Sequence, residues 1–293
     1  MPAAAVDSQM GVARTVKALR ARVDGWRSAG LTIGLVPTMG ALHEGHLSLI
    51  RRSNALAQRT IASIFVNPAQ FAPTEDFSAY PRQEGVDLDL LQKAGCHLAF
   101  VPTAEEMYPE GFQTSVNVGA VAQGMCGASR PHFFGGVATV VAKLLNQARP
   151  DIAVFGEKDY QQLLVIRRMA KDLNLNVDIV GAPIMREADG LAMSSRNAYL
   201  TPEGRAVAGR LNGVIADMAG KLGQGAAVEA VVAEGRAAIE AAGFDRLDYL
   251  EVRSSDLLEP MGPGPVTKPS RVFVAAIVGK TRLIDNWPVE LQS

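Results

Sequence analysis

The stretch Leu31-Thr32-Ile33-Gly34-Leu35-Val36-Pro37-Thr38-Met39-Gly40-Ala41-Leu42-His43-Glu44-Gly45-His46 runs from an apolar segment through a glycine-marked turn into Leu47-Ser48-Leu49-Ile50-Arg51-Arg52. The apolar segment reads as a buried strand and the last segment as a helix. A strand, a turn and a helix in this order form a geometry that holds a phosphate chain. The helix start offers unpaired N–H groups and the positive end of its dipole. Gly40 and Gly45 let backbone approach a ligand. His43 and His46 are three apart and share one face of a helical turn. Two imidazoles there can donate to phosphate oxygens where negative charge grows in a transition state. A single His near a helix start is ordinarily a cap or a surface residue. A metal pair would take the i,i+4 spacing of H-E-x-x-H and a third ligand, whereas here the spacing is i,i+3 with Gly45 between.

Outward from this stretch, strands and helices alternate. Residues 12–29 read as an amphipathic helix, with Val12, Val16, Leu19 and Val23 at helical spacing. Strands are expected at 60–66, 98–101, 151–155 and 177–180, and helices at 86–94, 137–148 and 160–173. This alternation predicts an α/β fold, a parallel sheet with helices on both faces. Ligands then sit beyond the carboxyl ends of the strands, at the polar exits 37–46, 67–71 and 156–159. The pattern changes near Pro183. Helices at 203–222 and 226–242 and strands at 247–252 and 272–278, around a Pro/Gly-rich loop at 260–269, give an α+β arrangement. We therefore expect a first domain at 1–183 and a smaller C-terminal domain at 184–293.

The bulk numbers exclude several classes. The 293 residues suffice for two domains with a sizeable core. Apolar residues make 48% and charged residues 20%, ordinary for a globular chain. A net charge of -1 argues against nucleic acid as the main partner. Cys96 and Cys126 have no C-x-x-C partner, which indicates reduced thiols rather than a disulfide scaffold. Residues 1–10 lack a basic n-region, and their apolar stretch is too short for a signal peptide. No segment reaches the roughly 20 apolar residues of a membrane span. A cytoplasmic location is expected.

Three further motifs carry polar chemistry. Phe65-Val66-Asn67-Pro68-Ala69-Gln70-Phe71 ends a strand, and the amides of Asn67 and Gln70 can cap the turn or bind hydroxyl and carboxylate groups. Gly156-Glu157-Lys158-Asp159-Tyr160-Gln161-Gln162 opens a helix. There Lys158 suits a phosphate, Asp159 a helix cap, Glu157 solvent or a pair with Lys158, and Gln162 an inward position. Met193-Ser194-Ser195-Arg196-Asn197 puts two hydroxyls and a guanidinium in a row, which suits phosphate oxygens; a plain turn has the same composition.

Together these stretches resemble the pantothenate synthetase (pantoate–β-alanine ligase) family. PTMGALHEGH at 37–46, FVNPAQF at 65–71, YPR at 80–82, GEKDYQQL at 156–163, DGLAMSSRN at 189–197 and GKTRLIDN at 279–286 occur in the family's order and spacing. HxGH alone marks only the wider nucleotidyltransferase superfamily. The resemblance implies a Rossmann-like N-terminal domain that binds nucleotide and pantoate, a C-terminal lid domain and a homodimer. It implies that pantoate and Mg-ATP form pantoyl adenylate and pyrophosphate, and that β-alanine then gives pantothenate and AMP. On this chain His43, His46 and Lys158 fall on contacts to the ATP phosphates, and Ser194, Ser195 and Arg196 on the loop that closes over them. Pro37, Met39, Gly156, Asp159 and Met185 fall on further ATP-binding positions, with Asp159 at the ribose. Asn67, Gln70 and Gln162 fall on the pantoate site, and Asp87 on a position associated with magnesium. One stretch departs from the pattern. The family's Arg-Pro-Gly-His-Phe-x-Gly reads here Arg130-Pro131-His132-Phe133-Phe134-Gly135-Gly136. Either the alignment is ungapped and the motif His becomes Phe133, or the loop is shortened and re-lengthened by one and His132 takes that role.

In physical terms a carboxylate must attack the α-phosphorus of ATP, and both are negative. Lys158, Arg196, both His residues and Mg²⁺ neutralise that repulsion; the work is positioning and charge stabilisation. Closure of the C-terminal domain would bring Ser194, Ser195 and Arg196 to ATP. The rival readings are another HxGH nucleotidyltransferase acting on a phosphate acceptor, a class I aminoacyl-tRNA synthetase relative, and a catalytically silent nucleotide-binding protein.

Overall fold

The computed structural model describes residues 9–71, 77–78 and 80–291. In chain order the elements are β1 (Gly11–Ala13), α1 (Val16–Ser28), β2 (Ile33–Thr38), α2 (Glu44–Leu56), β3 (Arg59–Ile64), α3 (Glu84–Lys93), β4 (Leu98–Phe100), α4 (Ala104–Met107), α5 (Met125–Ser129) and α6 (Phe133–Ala148). They continue with β5 (Ile152–Gly156), α7 (Tyr160–Asp172), β6 (Asp178–Ala182), α8 (Pro202–Ala208), α9 (Arg210–Gly223), α10 (Val228–Ala241), β7 (Arg246–Ser254), β8 (Ser270–Val278) and β9 (Thr281–Val289). The chain forms two compact units. The first takes residues up to Gly119 with Arg130–Gly156 and Val165–Ala182; the second takes Ala120–Ser129, Glu157–Leu164 and the residues from Pro183 on.

The first unit is built on a six-stranded sheet in the order β1-β4-β3-β2-β5-β6, parallel at every pairing. The expected Rossmann-like α/β class is what the chain adopts. Central strands β2 and β3 are buried at all but one position each, as continuous apolar runs require of a sheet covered on both faces. Val36, Ile50, Ala62, Leu91 and Val154 share one core cluster. The strand order reverses at β2: the chain moves from β2 to β3 on one side and returns to β5 on the other. Register pairing of β2 with β5 stops at Leu35↔Ala153, although the strands run on to Thr38 and Gly156. Such a switch point opens a crevice beyond the carboxyl ends of the two strands. The missing pairing also explains how Pro37, which has no N–H, sits in a central strand.

The second unit carries a three-stranded antiparallel sheet, β7-β8-β9. Helices α9 and α10 pack on it through Leu211, Ile215, Leu222, Val231 and Ile239, against Leu250, Val272 and Val274 of the sheet.

Four expectations need correction. Val12 and Ala13 belong not to a helix but to edge strand β1, paired with β4, and the helix starts after the Thr15 cap. The helix expected at 137–148 begins at Phe133. The single helix expected at 203–222 is two, α8 and α9, which meet at Gly209. The third strand of the second sheet, β9, was not expected at all. Its Asp285, Asn286 and Pro288 are poor strand formers, and pairing with β8 along its whole length overrides their preference.

One titrating group is built into this frame. His97 is half-buried, and its Nδ1 accepts the N–H of Thr60 at 3.1 Å. Burial pushes its pKa below the ordinary 6.5, and the Arg59 charge adds to the shift. The unfolded chain therefore takes up this proton first as pH falls. The site's contribution to stability is full above about pH 6.5 and declines as pH drops through that value. Urea unfolding between about pH 8 and pH 5 should show this decline in the wild type and a shallower slope in His97→Gln. Equal slopes in both proteins would remove His97 from the account.

Candidate active site

The exit of β2 is held from two other elements, β3 and α3. The Thr38 hydroxyl donates to the Ser63 carbonyl (2.6 Å) and accepts from the Gly40 amide (3.2 Å). Gly40 and Ala41 both take left-handed backbone, at φ 78° and φ 50°. The conformation is unfavourable for Ala41, and a carboxylate supports it: Asp87 Oδ2 accepts from the Ala41 amide (3.0 Å) and Oδ1 from the Leu42 amide (2.9 Å). Asp87 comes from α3 and is 1% exposed. A Cβ on Gly40 would lie 2.8 Å from Asp87 Oδ2, so this position excludes a side chain by space as well as by conformation. Asp87, expected beside magnesium, thus has both oxygens on backbone amides of the strand exit. Among the described residues no group of three or more His, Cys, Asp or Glu side chains is placed to hold a metal ion.

His43 and His46 follow at the start of α2 and form a capping box. The Gly45 amide donates to His43 Nδ1 (3.2 Å) and the His43 amide donates to His46 Nδ1 (3.4 Å). The rings stand 4.1 Å apart between centroids. Two amides that the sequence reading assigned to a phosphate are therefore taken by imidazole nitrogens. The same bonds set the chemistry of the rings. With Nδ1 accepting, a neutral ring carries its proton on Nε2 and presents that N–H as its donor. Pro37 and Met39 are half-buried on either side of Thr38.

Beyond β3, Asn67 caps the short 3-10 turn Pro68–Gln70. Its amide is fully used. Oδ1 accepts from the Ala69 amide (3.3 Å) and the Tyr108 hydroxyl (2.8 Å); Nδ2 donates to the Gly136 carbonyl (3.1 Å) and to Gln70 Oε1 (2.9 Å). Burial pushes the Tyr108 phenol up to about 12, so it serves as a donor at neutral pH. Gln70 consequently keeps its oxygen on Asn67 and has its Nε2 as donor for other groups. Gly136 packs so tightly on this turn that a Cβ would lie 2.1 Å from the Ala69 carbonyl oxygen. That contact demands the last Gly of the family pattern at 136, which both alignments of the loop retain. His132 is exposed and makes no side-chain cap to α6. The Arg130 guanidinium stands 3.9 Å above the Phe133 ring. Arg130 Nη2 donates to the Gln70 carbonyl (3.1 Å).

In the second unit, Glu157–Asp159 make a 3-10 turn before α7. Lys158 Nζ lies 3.6 Å from Asp159 Oδ2, and Glu157 faces Arg271 (3.5 Å) instead of Lys158. Gln161 is the structural member of its glutamine pair: Nε2 donates to three carbonyls at 121, 123 and 124, and Oε1 accepts from the Cys126 amide (3.2 Å). Gln162 is half-buried, as is Gly156 at the end of β5. A hairpin at 185–193 leads into the polar turn. In that turn Ser194 Oγ accepts from the Arg196 amide (3.3 Å), and Asn197 Nδ2 donates to Glu187 (2.8 Å) and to the Ala192 carbonyl (3.1 Å). Met185 lies at the open end of this hairpin and is exposed. Arg205 bridges Glu187 (2.9 Å) and Asp189 (2.8 Å) and holds both carboxyls below their ordinary range. Sequence reasoning gave no role to the GKTRLIDN stretch. There Asp285, 4% exposed, takes the Arg186 guanidinium in a two-point pair (2.7 and 3.0 Å), and Asn286 bonds to the turn at 157–158.

A family model described as Pantoate-beta-alanine ligase matches residues 11–288. The chain belongs to the pantoate–β-alanine ligase family. It is 56% identical to the pantothenate synthetase of Paramagnetospirillum magneticum over 279 residues, which are 95% of this chain and 98% of that protein. It is 54% identical to that of Caulobacter vibrioides, again over 95% and 98%. The crystal structure of pantothenate synthetase from Thermus thermophilus matches with a TM-score of 0.88 at 46% identity, over 96% of this chain and 99% of that one. The pantoate–β-alanine ligase from Francisella tularensis, complexed with β,γ ATP and β-alanine, matches with a TM-score of 0.81 at 32% identity, over 97% and 99%. The protein is accordingly an enzyme, a ligase of this family. No helix among the described residues is long and apolar enough to cross a membrane.

Because Asp87 supplies both acceptors to the left-handed turn, Asp87→Asn should lower the free energy of unfolding by about 1–3 kcal/mol. Urea unfolding at neutral pH measures this. An unchanged midpoint would mean that the turn holds itself.

Proposed function

We propose that this enzyme condenses pantoate with β-alanine in two steps, through a pantoyl adenylate made from ATP. The observation that carries the reading is the pair of tethered imidazoles at the β2 exit. Their Nε2–H groups are preset as donors, at the helix start after a switch-point strand, where a phosphate chain is most readily bound. The Francisella relative, with ATP and β-alanine in its description, supports ATP and β-alanine as substrates.

In the first step a pantoate carboxylate oxygen bonds to the α-phosphorus and the bond to the β-phosphate oxygen breaks, releasing pyrophosphate. No protein nucleophile is needed. His43 and His46 donate to the phosphate oxygens as charge builds at the five-coordinate phosphorus. Lys158 and Arg196 supply positive charge, Ser194 and Ser195 supply hydroxyl donors, and Mg²⁺ enters as the counter-ion of the nucleotide substrate. Pro37, Met39, Gly156, Asp159 and Met185 complete the ATP contacts. Asn67, Gln70 and Gln162 hold pantoate, and the Gln70 amide nitrogen is the donor that suits its hydroxyl or carboxylate oxygens. In the second step the free amine of β-alanine attacks the acyl carbon, and AMP leaves with the electrons of the acyl C–O bond. We place the enzyme in the cytoplasm as a homodimer, with 184–293 as the lid domain.

Pantoate-dependent ATP–pyrophosphate exchange tests the first step without β-alanine. His46→Ala should lose about 100- to 1,000-fold in exchange rate, the size of a lost oxyanion-type donor. Exchange that persists in His46→Ala, or that other acids drive as well as pantoate, would overturn the proposal.

A further inference from the structure

Within β9, Asn286 is a polar residue of low strand propensity, 1% exposed. Its side chain is bonded at every position the structure uses. Nδ2 donates to the carbonyls of Glu157 (2.9 Å) and Lys158 (3.1 Å), and Oδ1 accepts from Arg271 Nε (2.8 Å). The orientation of the amide follows from these partners, because a carbonyl oxygen facing two carbonyls would repel them. Arg271 on β8 extends the same grip. Its guanidinium lies 4.2 Å from the Tyr160 ring centroid and 3.5 Å from the Glu157 carboxylate. Glu157 is thus held from both strands, Lys158 from β9 and Tyr160 from β8, and the middle of the held turn is Lys158.

We propose that Asn286 is a positioning residue that fixes the main chain of Lys158, and through it the path of the ammonium group toward the phosphates. The inference rests on the role given to Lys158 above. A long lysine side chain has several rotatable bonds, and its point charge is effective only when the stem starts from a fixed place. Two hydrogen bonds on consecutive carbonyls pin that start against a paired strand. A buried Asn in a strand is explained by what it holds, since the strand itself gains nothing from it.

The test is a double-mutant cycle on pantoate-dependent ATP–pyrophosphate exchange, with thermal unfolding of each variant. Asn286→Ala should lower the exchange kcat on the order of 100-fold, the scale of a catalytic group displaced by about 1 Å, and leave the pantoate KM unchanged. In a Lys158→Ala background the same substitution should cost nothing more, because the group it positions is gone. If Asn286→Ala does not fold, Asn286→Asp keeps the size and the bond to Arg271 while losing both donors, and is read in the same cycle. Losses that multiply across the two sites, a loss confined to the pantoate KM, or an unchanged kcat would overturn the inference. Full exchange in Lys158→Ala alone would instead overturn the role of Lys158 itself, and the inference with it.

Discussion

The carboxylate of Asp87 on the amides of Ala41 and Leu42 is the constraint from which the β2 exit is built. Left-handed backbone costs Gly40 little, but Ala41 carries a Cβ and sits in a sparsely populated region that needs outside support. Here the support comes from a buried side chain on α3, more than forty residues along the chain. Once the turn at 40–41 is fixed, His43 is placed as the cap of α2, and the two imidazoles close the capping box at its start. Strand, turn and helix are therefore one mechanical piece, and the preset Nε2 donors follow from it.

How much of this was legible in the sequence depends on the range of each interaction. The runs at 31–36, 60–66 and 151–155 announced β2, β3 and β5 because strands buried on both faces need continuous apolar residues. The turn glycines and the paired His residues were visible for the same reason: their signals are local. In β1, Val12 fell at helical spacing with Val16, Leu19 and Val23, which masked a strand of only three residues. In β9, Asp285, Asn286 and Pro288 hid a strand that long-range pairing enforces.

The site was legible in composition and less so in wiring. The polar residues at 43, 46, 67, 70, 158 and 194–196 stood out at element ends. Their partners did not: nothing near Asn67 points to Tyr108, and nothing near Lys158 points to Asn286. Gln161 and Gln162 differ by one step along a helix, yet the first is spent on the backbone at 121–126. The need for glycine at 136 was equally hidden, since it comes from contact with the Ala69 carbonyl across the chain.

Asp285 and Asn286 are consecutive in β9, so their side chains leave the strand on opposite faces. One face ties down the hairpin at 185–193 through Arg186, and the other ties down the turn at 157–158. The strand works as a ruler with marks on both sides. Adding or deleting one residue within it would exchange the two faces and release both loops at once. Variation in length can therefore gather at the ends of β9, and its middle must keep count.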